Sequence, residues 1–347
     1  MANLCLNLTM KSFRFFFVFL VLLNIGKVCF GQDPNDAPAL VKEAVQLNKD
    51  GKYTEAVDKY TQALKLDPEN IYANYGIAFS LLGADRGKEG IPYLQKVINS
   101  NSSITIWAYD LLGSIYDKEH DSPKAIEAFK TGLKLDPKYQ SIYYNLGLVY
   151  FRDKDYAEAE KCAIESMKLD PKHASGQRMY ALVCFHQNKR ANALLGLCSF
   201  ILLEPNTART TEAYGNIQHI LQGGILRPPA GTPMLMVDAN SIALNNAISK
   251  AIGDADKKKY PTPADQLTAE LTGIFNVIGQ LADKQNADPV FRKYFADYFY
   301  QLAQSPNMPA FARMINWGNA ESAKWITDHP QYMNDLYGWI KTTARDF

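Results

Sequence analysis

Prolines recur at a fixed spacing in the first part of this chain, and that spacing limits the possible folds more than any other feature. Each of them closes a short sequence of leucine, an acidic residue and proline, and they are Pro68, Pro137, Pro171 and Pro205. The last two intervals are equal, and the first is one position longer than twice that interval. A period of about 34 residues accommodates two helices and their turns, so it predicts a stack of helical hairpins.

Small and bulky residues recur in register with these prolines. With proline at position 32, the repeats are 37–70, 71–105, 106–139, 140–173 and 174–207, and the second carries one extra residue. The third repeat fits the pattern best, with Gly113 at position 8, Ala125 at position 20 and Phe129 at position 24. Small residues at positions 8 and 20 let two helices approach closely, while bulky residues fill the space beside them.

This pattern resembles that of the tetratricopeptide repeat (TPR) family. The resemblance implies an all-α fold in which five repeats form a right-handed superhelix. Because such a stack is open at its end, a capping helix is expected after the last repeat. Residues 208–222 are expected to be that cap, because Tyr214 and Gly215 begin a sixth repeat that is not completed. The Gly- and Pro-rich residues 223–238 then predict a linker.

Residues 239–347 lack the period but retain helical patterns, which predict a small C-terminal helical domain. An aromatic stripe at helical spacing runs from Phe291 to Leu302, and three of the four tryptophans lie in this region. The region resembles a helical module that follows TPR repeats in bacterial envelope proteins. Two alternatives are open: the aromatic residues form the core of the module, or they present a docking face.

Residues 1–31 read as a secretory signal peptide. A basic start with Lys11 and Arg14 precedes an apolar run, and Gly31 offers a cleavage point. The expected location is therefore the periplasm or cell envelope, with an uncleaved anchor as the alternative. Cleavage would remove three basic residues and change the formal charge from +1 to −2. Such a near-neutral chain argues against nucleic acid as a partner.

The sequence offers no motif for catalysis, a metal or a cofactor. The histidines have no His-Glu-x-x-His spacing, and no Gly-x-Ser-x-Gly sequence occurs. Residues 83–88 contain a Gly-Lys pair, but Glu89 stands where a phosphate loop needs serine or threonine, so a turn is expected. Three cysteines follow the signal peptide, and Cys162 and Cys184 lie on successive helices, where either a disulfide or buried thiols are possible.

The remaining candidate site is the concave face that the family resemblance implies. First-helix positions 2, 5, 9 and 12, with adjacent residues, supply aromatic, Asn, Arg and Asp side chains: Tyr72, Tyr75, Phe79, Trp107, Asp110, Tyr144, Asn145, Phe151, Arg152, Arg178 and Phe185. Such a face suits an extended peptide or an amphipathic helix. Family members that clamp a C-terminal carboxylate use two Asn and several cations. Only Asn145 matches them here, and Ser175 and Met179 stand where cations are expected.

The preferred hypothesis is an exported, non-enzymatic scaffold for protein interactions, which binds a peptide or helix in the TPR groove. One alternative is a structural spacer in an envelope assembly. Another is an enzyme with its site in the C-terminal module.

Overall fold

The computed structural model describes residues 36–223, 237–284 and 287–345. They form seventeen α-helices and one π-helical segment, and no strand occurs within these ranges. The predicted all-α class is therefore confirmed. The segment predicted to be a signal peptide, residues 1–31, and almost all of the linker predicted for 223–238 lie outside the described residues.

The first ten helices occur as five consecutive pairs, one pair in each predicted repeat. In chain order, α1 to α11 are Ala37–Lys49, Tyr53–Leu66, Ile71–Gly83, Gly87–Asn99, Thr105–Lys118, Ser122–Leu135, Gln140–Arg152, Tyr156–Leu169, Ala174–His186, Arg190–Leu203 and Ala208–Leu221. Helix α11 is the single helix expected after the fifth pair.

The turn inside every pair contains one residue with positive φ. These residues are Gly51, Asp85, His120, Lys154 and Asn188. A left-handed residue at this point reverses the chain within a few residues, so that the second helix can return along the first. Asp85 lies in the 83–88 stretch, which is therefore the α3–α4 turn that the sequence predicts.

Close helix contacts occur at the small residues of the repeat pattern. A Cβ added at Gly113 would lie 2.5 Å from the Phe129 ring, and one at Gly90 would lie 2.9 Å from the Ala78 Cα. Phe129 is fully buried. The small residues are thus required by the packing of α5 on α6 and of α3 on α4.

The chain divides into two compact units, residues up to Asn145 and residues from Leu146, and the boundary falls inside α7. Unit 2 contains the C-terminal helices: α12 Ala239–Asp256, α13 Pro263–Lys284, the π-helical segment Phe291–Ala296, α14 Asp297–Ala303, α15 Met308–Ile315, α16 Ala320–Asp328 and α17 Pro330–Thr342. Helix α10 of the fifth pair packs against α12, α15 and the π-helical segment. The last TPR-like pair and the C-terminal helices therefore share one core, while the proposed domain boundaries stay a prediction.

The aromatic stripe of the C-terminal region lies inside this core. Its members Phe291, Tyr294, Phe295, Tyr298, Phe299 and Leu302 are all buried. The Phe295 ring stacks on Tyr180 of α9, with ring centroids 5.0 Å apart and planes only 6° from parallel. Of the two alternatives for the stripe, core packing is the one observed.

Cys162, Cys184 and Cys198 are free thiols, and all three are buried. Of the two possibilities left open by the sequence for Cys162 and Cys184, buried thiols are therefore the one observed, and these cysteines pack as small buried side chains. Within the described ranges, no helix combines the length and the apolar character needed to cross a bilayer.

Candidate functional site

The structure separates the predicted groove residues of unit 1 by their exposure. Tyr72 is 52% exposed, whereas Tyr75 is 2% exposed. Phe79, Trp107 and Asn145 are half-buried. Asp110 and Tyr144, like Tyr75, are buried. Several residues predicted to contact a partner thus belong largely to the packing between first helices, and their role in binding stays a prediction.

Tyr75 and Trp107 form the aromatic part of the site in unit 1. Their ring centroids are 6.0 Å apart and the planes meet at 62°, so the edge of one ring points toward the other. Edge-on pairs of this kind add about 0.5–1.5 kcal/mol beyond area burial. Trp107 is thereby held on α5 with part of its ring at the surface.

Asp110 is a fully buried carboxylate on α5, one turn after Trp107. The Ser141 hydroxyl donates a hydrogen bond to Oδ2 at 2.9 Å, and the Asn145 amide donates one to Oδ1 at 2.8 Å. Both donors lie on α7, so the carboxylate joins the first helices of two successive repeats. Within residues 36–145, no lysine or arginine forms an ion pair with it.

Burial raises the pKa of Asp110 to about 6, although the hydrogen bonds from Asn145 and Ser141 lower it in part. Burial also raises the pKa of Tyr75 well above its usual value, and the nearby charge of Asp110 adds to this rise. The pKa of the Tyr139 hydroxyl is raised by the same two causes. A negative charge at Asp110 is therefore felt by both phenols.

The bond to Asp110 sets the orientation of Asn145. Its Nδ2 donates one N–H to the carboxylate, which leaves its Oδ1 as an acceptor and its second N–H as a donor for another group. A ligand carboxylate would meet this acceptor and the charge of Asp110. The one residue that matches the carboxylate-clamping pattern is thus tied to a buried carboxylate, and its Oδ1 can accept from a partner N–H.

Unit 2 holds the other predicted groove residues in a separate cluster of aromatic and histidine rings. Phe151 meets both Tyr156 and His186 edge-on, with centroids 5.7 Å and 5.1 Å away, and Tyr156 stacks on His186 at 5.3 Å. Phe185 contacts His186 and His219. Burial lowers the pKa of His186, which favours its neutral form.

The two predicted arginines have different surroundings. Arg178 is buried, and its guanidinium donates to Glu212 of α11 at 2.8 Å. Arg152 is exposed and lies 3.7 Å from the Asp153 carboxylate. Arg178 therefore links α9 to α11, and Arg152 is the more accessible cation.

Sequence reasoning missed Ser141, Tyr156 and His186 as members of these clusters. Ser141 stands at position 2 of the fourth repeat, so the same spacing rule that selected Tyr72 could have found it. Tyr156 opens a second helix, where the groove rule does not apply. Among the described residues, no group of three or more His, Cys, Asp or Glu side chains could hold a metal ion.

Models of known protein families match the sequence of this repeat region. The description "TPR repeat" matches residues 44–83 and 113–154, and "Tetratricopeptide repeat" matches residues 140–173. The chain carries tetratricopeptide repeats. TPR proteins present surfaces made by stacked helices and act as scaffolds for protein interactions.

Curated relatives are similar to between about a quarter and a third of this chain. The chain is 38% identical to Hsp70-Hsp90 organizing protein 3 of Arabidopsis thaliana over 96 residues, which cover 26% of this chain and 16% of that protein. It is 29% identical to the Hsp70-Hsp90 organizing protein of Triticum aestivum over 112 residues, covering 32% and 19%. The matches thus span less than a fifth of each relative.

Solved structures include similar TPR proteins at low identity. The pilF protein of Pseudomonas aeruginosa is 18% identical, with a TM-score of 0.46, over 54% of this chain and 89% of that chain. A thermophilic TPR protein of Thermus thermophilus is 16% identical, with a TM-score of 0.45, over 52% and 99%.

Proposed function

We propose that this chain is a non-enzymatic scaffold that binds a peptide or helix of a protein partner on the first-helix face of unit 1. This face comprises Tyr72, Tyr75, Trp107, Asp110 and Asn145. The signal-peptide pattern of residues 1–31 supports export to the periplasm or cell envelope as part of the same proposal.

The observation that carries the proposal is the arrangement of Trp107, Asp110 and Asn145. A half-buried indole supplies apolar area, and interfaces are enriched in such rings. Beside it, a buried carboxylate fixes the Asn145 amide, whose carbonyl oxygen can accept a further hydrogen bond. An extended or helical segment carries the backbone and side-chain N–H donors that this acceptor needs.

The charge of this face restricts the partner's chemistry. Asp110 has no cationic partner among residues 36–145, so a ligand carboxylate placed beside Asn145 would be repelled. Neutral or basic segments do not meet this repulsion. The proposed partner is therefore a neutral or basic segment of another protein.

Peptide selection against the full chain tests this function. Peptides that bind the parent protein are selected from a phage-displayed peptide library. Isothermal titration then measures their dissociation constants for the parent protein and for Trp107→Ala. We expect binding to weaken by about 2 kcal/mol or more, as for a central aromatic anchor. Tyr332→Ala is the matched control, because Tyr332 is a half-exposed aromatic residue on α17.

The melting temperature of each variant is measured in parallel. A Trp107→Ala protein that melts near the parent temperature and loses the peptides supports the proposed face. Peptides that bind both proteins equally, or are weakened as much by Tyr332→Ala, would place the binding surface elsewhere. Failure to enrich any peptide would favour the spacer alternative.

A further inference from the structure

A cleft lies in unit 2. It has a volume of about 300 Å³ and lies between α11 and the turn that follows α15. Helix α11 contributes Thr211, Tyr214 and Gln218, and the turn contributes Asn316 and Trp317. This volume is at the lower end of the usual range for small-molecule sites.

Trp317 differs from the other tryptophans in its surroundings. Trp107 contacts Tyr75, Trp339 contacts Tyr298, and Trp325 stacks on His329 under the Arg313 guanidinium. The half-buried indole of Trp317 lines the cleft, and no ring, cation or hydrogen-bond partner contacts it within the described part of the chain. Its ring face is therefore available to a ligand.

The polar groups of the cleft are neutral. Asn206, Asn316, Gln218 and Thr211 line it together with the phenol of Tyr214, and no lining residue is charged. The side chains of Asn206 and Asn316 make no hydrogen bond within the described residues. Each amide can donate and accept at once, which matches ligands that carry several hydroxyl groups.

We propose that this cleft binds a neutral carbohydrate, with one sugar ring against Trp317. The slightly positive C–H groups on one face of a sugar are attracted to the negative face of an indole, while the amides pair with the hydroxyls. A charged ligand would find no counter-charge among the lining residues.

The cleft geometry favours a sugar over a peptide. Peptides add to exposed sheet edges, lie as helices in long apolar grooves, or extend along aromatic-lined ones. The described residues contain no sheet, and most of the residues that line the cleft are polar. Met314 and Ile315 are its only aliphatic lining residues, and both are buried. A compact, polyhydroxylated ligand fits these features.

Titration of the full chain with neutral saccharides tests the proposal. Glucose, galactose, mannose, N-acetylglucosamine and their β- and α-linked tetrasaccharides are added one by one, with isothermal calorimetry as the readout. We expect at least one to bind with a dissociation constant below about 10 mM. Trp317→Ala should weaken that binding more than about tenfold, and Trp317→Phe should keep most of it.

Two further variants keep the test decisive. Asn316→Ala removes an amide with no partner in the described structure, so it should weaken sugar binding without lowering the melting temperature. Tyr332→Ala should leave sugar binding unchanged. The proposal is overturned if no saccharide binds up to about 10 mM, if Trp317→Ala binds as the parent does, or if Trp317→Ala instead abolishes binding of library-selected peptides.

Discussion

Gln177 of α9 donates a hydrogen bond to the Tyr294 hydroxyl at 2.6 Å, across 117 residues of sequence. The same amide donates to the Pro171 carbonyl at 2.7 Å, and the Tyr294 hydroxyl donates to that carbonyl at 3.1 Å. Gln177 also accepts from Ser199, which in turn accepts from Arg345. A single buried polar network therefore joins the last TPR helices to the C-terminal helices of unit 2.

Tyr294→Phe should destabilise unit 2. The change removes one acceptor from the Gln177 amide and one donor from the Pro171 carbonyl, and a buried polar group left unsatisfied costs about 1–3 kcal/mol. Urea unfolding followed by circular dichroism measures the loss. Tyr332→Phe, on the exposed face of α17, is the control and should leave the midpoint unchanged. Equal midpoints for the two variants would show that the network contributes nothing.

Replacing glycines at helix contacts by alanine should lower the stability of the fold by amounts that depend on how tightly each glycine is packed. Gly113→Ala places a Cβ against the buried Phe129 ring at 2.5 Å, and overpacking of this kind costs about 1–3 kcal/mol. Gly147→Ala meets the Met179 methyl at 2.7 Å and should cost less, because the thioether chain can move. Thermal melting ranks the two proteins.

Gly338→Ala completes this series as its control. Gly338 lies inside α17, and a Cβ there meets nothing within 4 Å. Alanine should therefore stabilise the helix by about 0.5–1 kcal/mol. If Gly113→Ala melted at a higher temperature than Gly338→Ala, the repeat register would be misassigned.

The repeat register illustrates what the sequence could predict. Gly113 and Phe129 belong to one hairpin, so local spacing alone brings them together. Their contact, the helix pairs and the all-α class all follow from that spacing. The repeat positions predict exposure less well. They place Asp110 on the groove face, but they do not predict that Ser141 and Asn145 of the next repeat bury its carboxylate.

Contacts between distant segments could not be predicted. Nothing in the sequence near Gln177 indicates Tyr294, because their pairing depends on how α10 packs against the π-helical segment. Likewise, Trp317 carries no sequence signal that distinguishes it from the packed Trp325. The cleft that Trp317 lines is formed with α11, which lies far earlier in the chain.

Asp110 should make the stability of the chain depend on pH. Its folded pKa of about 6 lies above the ordinary value of 3.8, so the folded state holds the proton more tightly than the unfolded state. Its contribution to stability is greatest below about pH 4 and falls as the pH rises to about 6. Above that pH, the buried charge opposes folding.

Asp110→Asn removes this titration while keeping a polar side chain at the site. We expect the stability of the variant, relative to the parent, to increase between pH 4 and pH 7, by at most about 3 kcal/mol. Urea midpoints at several pH values measure the difference. A constant difference across this range would mean that Asp110 does not titrate there.

The buried thiols should react slowly in the folded chain. Burial raises the pKa of Cys198 and raises that of Cys184 well above the usual value, so few thiolates are present at neutral pH. Iodoacetamide labelling followed by peptide mass mapping should leave Cys162, Cys184 and Cys198 unmodified in buffer. All three should be labelled in denaturant without prior reduction. A reduction requirement would reveal a disulfide instead.

The π-helical segment Phe291–Ala296 has a consequence for insertions and deletions in this family of sequences. A π-helical turn corresponds to one residue added to an ordinary helix. Deleting a single residue within it would restore regular geometry and leave the following side chains in nearly the same orientation, because the wider π-turn already absorbs the extra residue. Tyr298 and Phe299 would then stay in the core that they share with Phe275 and Trp339. A deletion inside α14 would instead rotate every following side chain by about 100°, so the π-helical segment is the place where this part of the chain best tolerates the loss of a residue.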